Sequence, residues 1–147
     1  MYKNILIPTD GSPLSKKAIR LGVALAKSIN ARVTGCFVIE PFQPYYVGEY
    51  YPPDMPTAEE FMRRARETGE KYLEQVEKAA RAAGLAYSGM VVKARAPYLG
   101  IVEAAKKGRC DLIFMASHGR RGLSGLLLGS ETHKVLIHSK IPVLVSR

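Results

Sequence analysis

The chain has 147 residues, close to the size of one ordinary domain, so a second full domain is not expected. Hydrophobic residues make up 47% and charged residues 24%, which excludes intrinsic disorder over the whole chain. Lys and Arg outnumber Asp and Glu by 22 to 13, a formal net charge of +9. This excess favours anionic partners such as nucleotide phosphates, nucleic acid or an acidic membrane surface, with a merely basic protein as an equal alternative.

The cysteines and the apolar runs indicate a cytoplasmic protein. Cys36 and Cys110 form no C-x-x-C motif and have no metal-ligand spacing, so both are expected to be inert buried thiols. The first apolar stretch, Ile5 to Ile7, is too short for a signal peptide. No apolar run approaches the roughly 20 residues that a membrane span needs, so no membrane partner is expected.

The chain opens with a strand, a helix and a second strand. Asn4 to Pro8 is a short apolar run, and Ser12 followed by Pro13 is typical of a helix start. Residues 31–39 are rich in β-formers and predict a strand covered on both faces. Together they predict a right-handed βαβ unit. The apolar stripe of its helix is predicted at Leu14, Ala18, Leu21, Leu25 and Ile29.

Residues 40–56 interrupt the alternation of strands and helices. They hold five of the nine prolines, and no regular element tolerates so many. They also hold Tyr45, Tyr46, Tyr50 and Tyr51. The segment predicts a long surface loop, for which a lid or contact surface and an insertion without a role are equal alternatives.

The rest of the chain alternates helices with strands. Thr57 and Glu60 predict a capping box at the start of a long helix that Gly84 ends. Further strands are predicted at 85–92, 111–116 and 142–145, and further helices at 97–107 and 130–139. Ser130 is a candidate cap of the last helix. The inward residues are predicted at Phe61, Ala65, Tyr72, Val76, Ala79 and Ala83 in the long helix, and at Ile101, Ala104 and Ala105 in the helix at 97–107. Strict alternation predicts one α/β domain with a doubly wound parallel sheet covered by helices on both faces.

Ligands of such sheets bind outside the carboxyl ends of the strands, where the strand order reverses. Asp10 follows the first strand, and a carboxylate there accepts hydrogen bonds from both hydroxyls of a ribose. Because Ser12 is the better helix cap, we expect Asp10 to be freer for a ligand than most loop aspartates, the alternative being an Asx turn or a helix cap. After the fourth strand, four glycines fall within 119–129 and lead to Ser130 at a helix start. This pattern favours phosphate binding by backbone N–H groups, the alternative being a glycine-rich turn alone.

Three segments carry a family resemblance: ILIPTDGS at 5–12, VIE at 38–40 and ASHGRRGLSGLLLGSETHKVLIHSKIPVLV at 116–145. They resemble the universal stress protein family, and its nucleotide-binding branch in particular. The likeness covers essentially the whole chain. The family motif is Gly, two residues, Gly, nine residues, Gly, then Ser or Thr. Here it is formed by Ala116, Gly119, Gly129 and Ser130, so the first glycine is replaced.

The resemblance implies one domain over residues 1–147, an adenine nucleotide alpha hydrolase-like sheet of five parallel strands in the order 3-2-1-4-5. It implies ATP or another adenine nucleotide as ligand, alone or with Mg²⁺. Matching positions place Pro8 and Asp10 against adenine and ribose, Val38 against adenine and Ala116 beside the ribose. By the same resemblance, the phosphates are expected to bind to Gly119, Gly129 and Ser130. The neighbouring members of this candidate site are Ser12, Met115, His118, Arg120 and Glu131.

Two positions depart from the family pattern. Ala116 adds a methyl group at a close approach, which would weaken binding or shift the ligand. Arg95 stands where relatives often have glycine, two residues before Pro97. It would either crowd the ribose edge or supply a cation, and the sequence leaves both open.

Other chemistries are less well supported. The chain has no Walker motif and no G-x-G-x-x-G, and residues 122–125 are one residue short of a hydrolase elbow. His118 could form a catalytic triad with Asp10 and Ser130, but the interpretation as a loop residue that forms hydrogen bonds is favoured. His133 and His138 have the wrong spacing for a shared metal. Nothing resembles a positioned general base, so at most slow ATP hydrolysis is expected.

The sequence therefore predicts a universal stress protein that binds an adenine nucleotide, foremost ATP, as a stress-response regulator or sensor. The last strand, at 142–146, is a short apolar edge, and relatives commonly pair through it, so a homodimer is predicted. The alternative for this strand is shielding by its own C-terminal residues. The alternative function is a nucleotide-free dimeric interaction module. Nucleic-acid binding ranks third, because the basic residues are scattered and no aromatic-interleaved motif is present.

Overall fold

The computed structural model describes residues 1–44, 52–120 and 127–147. Its strands are β1 (Asn4–Pro8), β2 (Arg32–Ile39), β3 (Tyr87–Lys93), β4 (Leu112–Ala116) and β5 (Val143–Ser146). Its helices are α1 (Pro13–Ser28), α2 (Ala58–Ala82), α3 (Pro97–Lys107) and α4 (Ser130–His138). Strands and helices alternate along the chain, as the sequence predicts.

The strands form one parallel sheet in the order β3-β2-β1-β4-β5. This confirms the predicted doubly wound fold and its strand order. The chain moves outward from β1 to β3 and then returns to the other side of β1. The strand order therefore reverses between β1 and β4, where a ligand crevice is expected.

Alternate residues of β1 enter two different cores. Ile5 and Ile7 pack with α1 and α2, whereas Leu6 packs with α3 and α4. Since successive strand side chains point to opposite faces, Pro8 continues the face of Leu6. The sheet is thus covered on both sides, and the buried hydroxyl of Thr34 within β2 donates a hydrogen bond to Asn4 of β1 at 2.9 Å.

Local signals at the helix starts are confirmed. The Ser12 hydroxyl accepts a hydrogen bond from the Ser15 amide at 3.2 Å, and Pro13 is the first residue of α1. Thr57 and Glu60 form both bonds of the capping box of α2. β3 begins two residues later than predicted. The Leu85 amide donates a hydrogen bond to the Ala80 carbonyl of α2, so Leu85 still belongs to the turn after that helix.

Four of the five residues of the predicted α1 stripe lie in the core or against it, namely Leu14, Ala18, Leu25 and Ile29, and only Leu21 does not. Leu21 is 37% exposed, and the residues that pack inward are mostly small. A Cβ on Gly22 would lie 2.9 Å from Ile7 and 3.0 Å from Phe114, so α1 approaches the sheet through its small residues. The buried residues of α1 are Ser15, Ala18, Ile19, Gly22, Val23 and Ala26. The buried residues of α2 are Gly69, Leu73, Val76 and Ala80, of which the sequence stripe included only Val76.

The two thiols are buried, as predicted. Burial and the neighbouring Cys110 thiol raise the pKa of Cys36 to about 12, and burial also raises the pKa of Cys110. Both sulfurs are therefore protonated and poor nucleophiles at neutral pH. Within the described ranges, no helix is both long and apolar enough to span a bilayer.

Part of the Pro- and Tyr-rich loop is described. Its start packs on α2, where the rings of Phe42 and Phe61 lie 5.3 Å apart. The four tyrosines at 45–51 lie outside the described residues. Their role as a lid or contact surface stays a prediction.

Candidate functional site

Asp10 lies at the reversal of strand order, one residue beyond the backbone bond from Thr9 to Cys36. Its Oδ1 accepts a hydrogen bond from the Ser12 amide at 2.9 Å, and its Oδ2 accepts one from the Arg120 amide at 2.8 Å. The bond from Ser12 is the Asx turn that the sequence leaves as an alternative, so Asp10 is less free than expected. An ionised carboxylate has about four acceptor positions, so two remain for the hydroxyls of a ligand.

The loop after β4 lies directly on this carboxylate. A Cβ on Gly119 would stand 2.5 Å from Asp10 Oδ2, a distance that no side chain tolerates. The backbone at Gly119 and Arg120 therefore follows the end of β1 closely. This contact brings the first and the last segments of the sequence resemblance together at the expected crevice.

Tyr72 of α2 covers the β1–α1 turn, which the sequence did not predict. Its ring lies against Gly11, so closely that a Cβ there would overlap it. The Arg120 guanidinium lies 5.1 Å from the centre of the Tyr72 ring and donates a hydrogen bond to its hydroxyl. Sequence reasoning assigned Tyr72 to an apolar stripe, and no local signal links it to residues 48 or more positions away.

The predicted adenine contacts Pro8 and Val38 share one face of the sheet with Met115 of the candidate site. Val38 and Met115 pack in the α3 and α4 core, and the alternation of β1 places Pro8 on the same side. Ala116 lies on the opposite side, in the core beneath α1. Its methyl group is therefore packed away from the face of Pro8, Val38 and Met115, while its carbonyl accepts the Thr132 hydroxyl at 3.0 Å.

Gly129 and Ser130 begin α4. Gly129 is the N-cap, and its amide donates to the Ser117 carbonyl at 2.8 Å, so this amide is already used within the chain. A Cβ on Gly129 would lie 3.2 Å from both that oxygen and the Cα of His118, which makes the glycine a close-packing requirement. Ser130 is the exposed first residue of the helix and does not cap it, although the sequence left a cap open.

The four helices differ in which group accepts hydrogen bonds from the backbone amides of their first turn. Ser12 caps α1, and Thr57 caps α2. Ala96 offers α3 no acceptor, but the Glu131 carboxylate accepts the Tyr98 amide at 2.9 Å in its place. Within the described part of the chain, no side chain caps α4. Its first amides and positive dipole end are therefore suited to an anion.

Glu131 lies in the first turn of α4, but both of its carboxylate oxygens are used within the chain. Oε2 holds the start of α3, and Oε1 pairs with Lys134 at 3.0 Å. The structure therefore gives this predicted ligand residue a structural contact between two helices.

His118 has one used and one unused ring nitrogen. Nδ1 lies 3.1 Å from the Ser117 hydroxyl, whereas Nε2 is buried and has no hydrogen-bond partner among the described residues. No hydrogen bond between described residues joins His118 to Asp10 or Ser130, so the triad geometry is not formed. Residues 121–126, which include two of the four predicted glycines, lie outside the described residues.

Arg95 is exposed and lines a groove of about 610 Å³ beside α3, together with Tyr98 and Lys106. A second groove, of about 400 Å³, lies between α1 and α2. Neither groove includes the Asp10 region. In the described ranges, no group of three or more His, Cys, Asp or Glu side chains could hold a metal ion.

The fold and the site define a single doubly wound α/β domain with its polar edge between β1 and β4. A sequence profile of the universal stress protein family matches residues 1–147, and the chain belongs to this family. It is 35% identical over 147 residues to universal stress protein MJ0531 of Methanocaldococcus jannaschii, covering 99% of this chain and 82% of that protein. It is 33% identical over 153 residues to a universal stress protein of Thermus aquaticus, covering all of both chains.

Solved structures share the fold. Protein MJ0577 of Methanocaldococcus jannaschii superposes with a TM-score of 0.81 and 30% identity, covering 99% of this chain and 95% of that one. A universal stress protein in complex with cAMP has a TM-score of 0.73 and 24% identity, covering 99% and 97%. A universal stress protein from Archaeoglobus fulgidus in complex with dAMP has a TM-score of 0.65 and 18% identity, covering 99% and 98%.

Proposed function

We propose that this universal stress protein binds an adenine nucleotide, foremost ATP, at the carboxyl edge of its sheet and acts as a stress-response regulator or sensor. The observation that carries the proposal is the start of α4. Neither α3 nor α4 has a cap from its own N-cap residue, but Glu131 accepts an amide of α3, whereas no described side chain accepts one at the start of α4. This start also lies at the reversal of strand order. Proteins of the same fold solved with cAMP and dAMP support an adenine ligand.

The described residues fit such a ligand in three parts. Pro8, Val38 and Met115 offer an apolar face for adenine. The two backbone amides that donate to Asp10 occupy two of the about four acceptor positions of its carboxylate, so two remain for ribose hydroxyls. The exposed Ser130 and the uncapped amides of α4 offer donors for phosphate oxygens.

An accompanying Mg²⁺ would be held mainly by the phosphates and water, since the described side chains form no ligand cluster of their own. The Arg120 backbone amide donates to Asp10, while the Arg120 guanidinium lies on Tyr72. His118 lacks a hydrogen-bonded orienting carboxylate among the described residues, so we propose binding with at most slow hydrolysis.

The test is isothermal titration with ATP, ADP, AMP and cAMP at low and high salt. Ser130→Asp places a negative charge on the first residue of α4, where an acidic side chain suits the helix but repels phosphate. Ala58→Asp makes the same charge change on the first residue of α2 and is the matched control. We expect Ser130→Asp to weaken ATP binding at least about tenfold and Ala58→Asp to leave it unchanged.

A wild-type chain that binds none of the four nucleotides would refute the proposal. Equal losses in the two variants would show that the phosphates do not lie at α4. Binding that falls steeply with salt, and that extends to RNA, would favour the nucleic-acid alternative through counterion release.

The second candidate is a nucleotide-free dimeric interaction module of the same fold. Two observations favour it: the Gly129 amide and the Glu131 carboxylate are used within the chain, and Ala116 replaces a motif glycine. The titration separates the two candidates, because a module without a nucleotide gives no heat with any of the four ligands.

We also propose a homodimer through β5. This strand pairs with β4 on one side and is the edge of the sheet. Leu144 on β5 is 39% exposed, so this edge strand presents an apolar side chain to solvent. Such edges pair readily with another chain.

A further inference from the structure

We infer that a groove beside α3 and the end of α4 binds an acidic peptide segment of a partner protein. We call it the α3–α4 groove. It has a volume of about 610 Å³, and its principal lining residues are Lys93, Arg95, Tyr98, Leu99, Lys106 and His138. Asp10 and Ser130 do not line this groove, whereas Arg95 lines it and is also predicted at the ribose edge.

The rim of the groove is cationic. Lys93, Arg95 and Lys106 are exposed, and none of them has a carboxylate partner among the described residues. The one lining carboxylate, Glu103, is paired with Lys107 at 2.6 Å. Three charges are thus presented to solvent on one concave surface, which attracts an anionic partner.

The centre of the groove is apolar. Leu99 is 39% exposed, and Tyr98 and Val102 are half-buried beside it. The Tyr98 ring is held in place by His138, at 5.0 Å between ring centres, and by the Lys134 ammonium at 5.5 Å. A partner that fills the groove therefore needs apolar side chains with negative charges around them.

This chemistry selects an acidic peptide over the other anions. A second copy of this chain also carries a net charge of +9 and is repelled by a cationic rim. A nucleic acid would place phosphates on the rim, but Tyr98 already contacts His138 and Lys134 and is not a free stacking platform. A peptide with Asp and Glu around a large apolar residue matches both the rim and the centre.

The test measures fluorescence anisotropy of a labelled peptide in which runs of Asp and Glu flank a central Leu-Phe pair. The variant combines Arg95→Glu with Lys106→Glu. The α1–α2 groove supplies a matched control, Lys16→Glu with Arg20→Glu, which changes the net charge equally on another cationic groove. We expect the groove variant to weaken peptide binding at least about tenfold and the control to change it less than about twofold.

Two altered peptides test the two halves of the inference. Replacing the Asp and Glu residues by Asn and Gln should abolish binding, and replacing Leu-Phe by Gly-Gly should weaken it clearly. Equal losses in the groove variant and the control, or no binding of the acidic peptide to the wild type, would overturn the inference. So would an RNA oligonucleotide that binds more tightly than the peptide and depends on Arg95 and Lys106.

Discussion

Gly11 joins β1 to α1 and lies beneath the ring of Tyr72, so two separate constraints act on one residue. Its φ of 77° lies in the left-handed region, which L side chains rarely adopt. The ring of Tyr72 also occupies the space that a Cβ would need. Gly84, after α2, has a similar φ of 75° but nothing within 4 Å of an added Cβ.

This pair separates backbone strain from steric overlap. We expect Gly84→Ala to lower the free energy of unfolding by about 1 to 2 kcal/mol through the left-handed backbone alone. Gly11→Ala should cost about 2 kcal/mol more, because Tyr72 must move as well. Urea denaturation followed by circular dichroism measures both values, and equal losses would contradict the close contact with Tyr72.

Residue-scale contacts also show where sequence reasoning stops. Ser12 as a helix cap could be predicted, because cap and partner lie three residues apart. The Arg120 amide and Asp10 are 110 residues apart, and no sequence pattern near either residue predicts the hydrogen bond between them. Of the two partners of Asp10, only the Arg120 amide depends on how β1 and the loop after β4 meet, because the Ser12 amide lies two residues along the same turn.

At the scale of elements, the start of α3 depends on α4. Ala96 precedes α3 and has no acceptor, whereas the Glu131 carboxylate reaches across to the Tyr98 amide. A carboxylate at a helix N-terminus both accepts a hydrogen bond and matches the helix dipole. Glu131 therefore couples two helices whose starts lie at the ligand edge of the sheet.

We expect Glu131→Ala to lower the free energy of unfolding by about 1 kcal/mol, the usual cost of a lost cap. Glu103→Ala is the control, since Glu103 also pairs with a lysine, Lys107, but caps no helix in the described chain. Its exposed ion pair should contribute less than about 0.5 kcal/mol. Glu131→Gln keeps an acceptor oxygen and should fall between the two. Urea denaturation would contradict the cap if both alanine variants lost the same amount.

Helix faces were harder to predict than helix ends. Large apolar residues suggested that Leu21 of α1 faces inward, but Gly22 is the residue against Ile7 and Phe114. A helix that packs closely on a sheet selects small residues at the contact, and hydrophobicity alone does not reveal them. On α3 the prediction of Ile101 as a core residue was correct, because there the packed side is also the apolar one.

At the scale of the whole molecule, the alternation of strands with helices predicts a parallel sheet, whereas the order of its strands followed from the family resemblance. That order places β5 at one edge, beside β4 alone. Leu144 on this strand is 39% exposed, close to the 37% exposure of Leu21 on α1. Leu144 lies on the predicted interface and Leu21 on a surface outside it, so the two form a matched pair with nearly equal exposure.

We expect the wild-type chain to sediment as a dimer and Leu144→Lys to shift it toward the monomer. A two-fold dimer contains the substitution twice, and each copy places a charge on the apolar surface that pairing would bury. The dissociation constant should therefore rise at least about tenfold, as measured by sedimentation equilibrium. Leu21→Lys adds the same charge at the same exposure and should leave the dimer intact. A monomeric wild type, or equal effects of the two substitutions, would place the association elsewhere than β5.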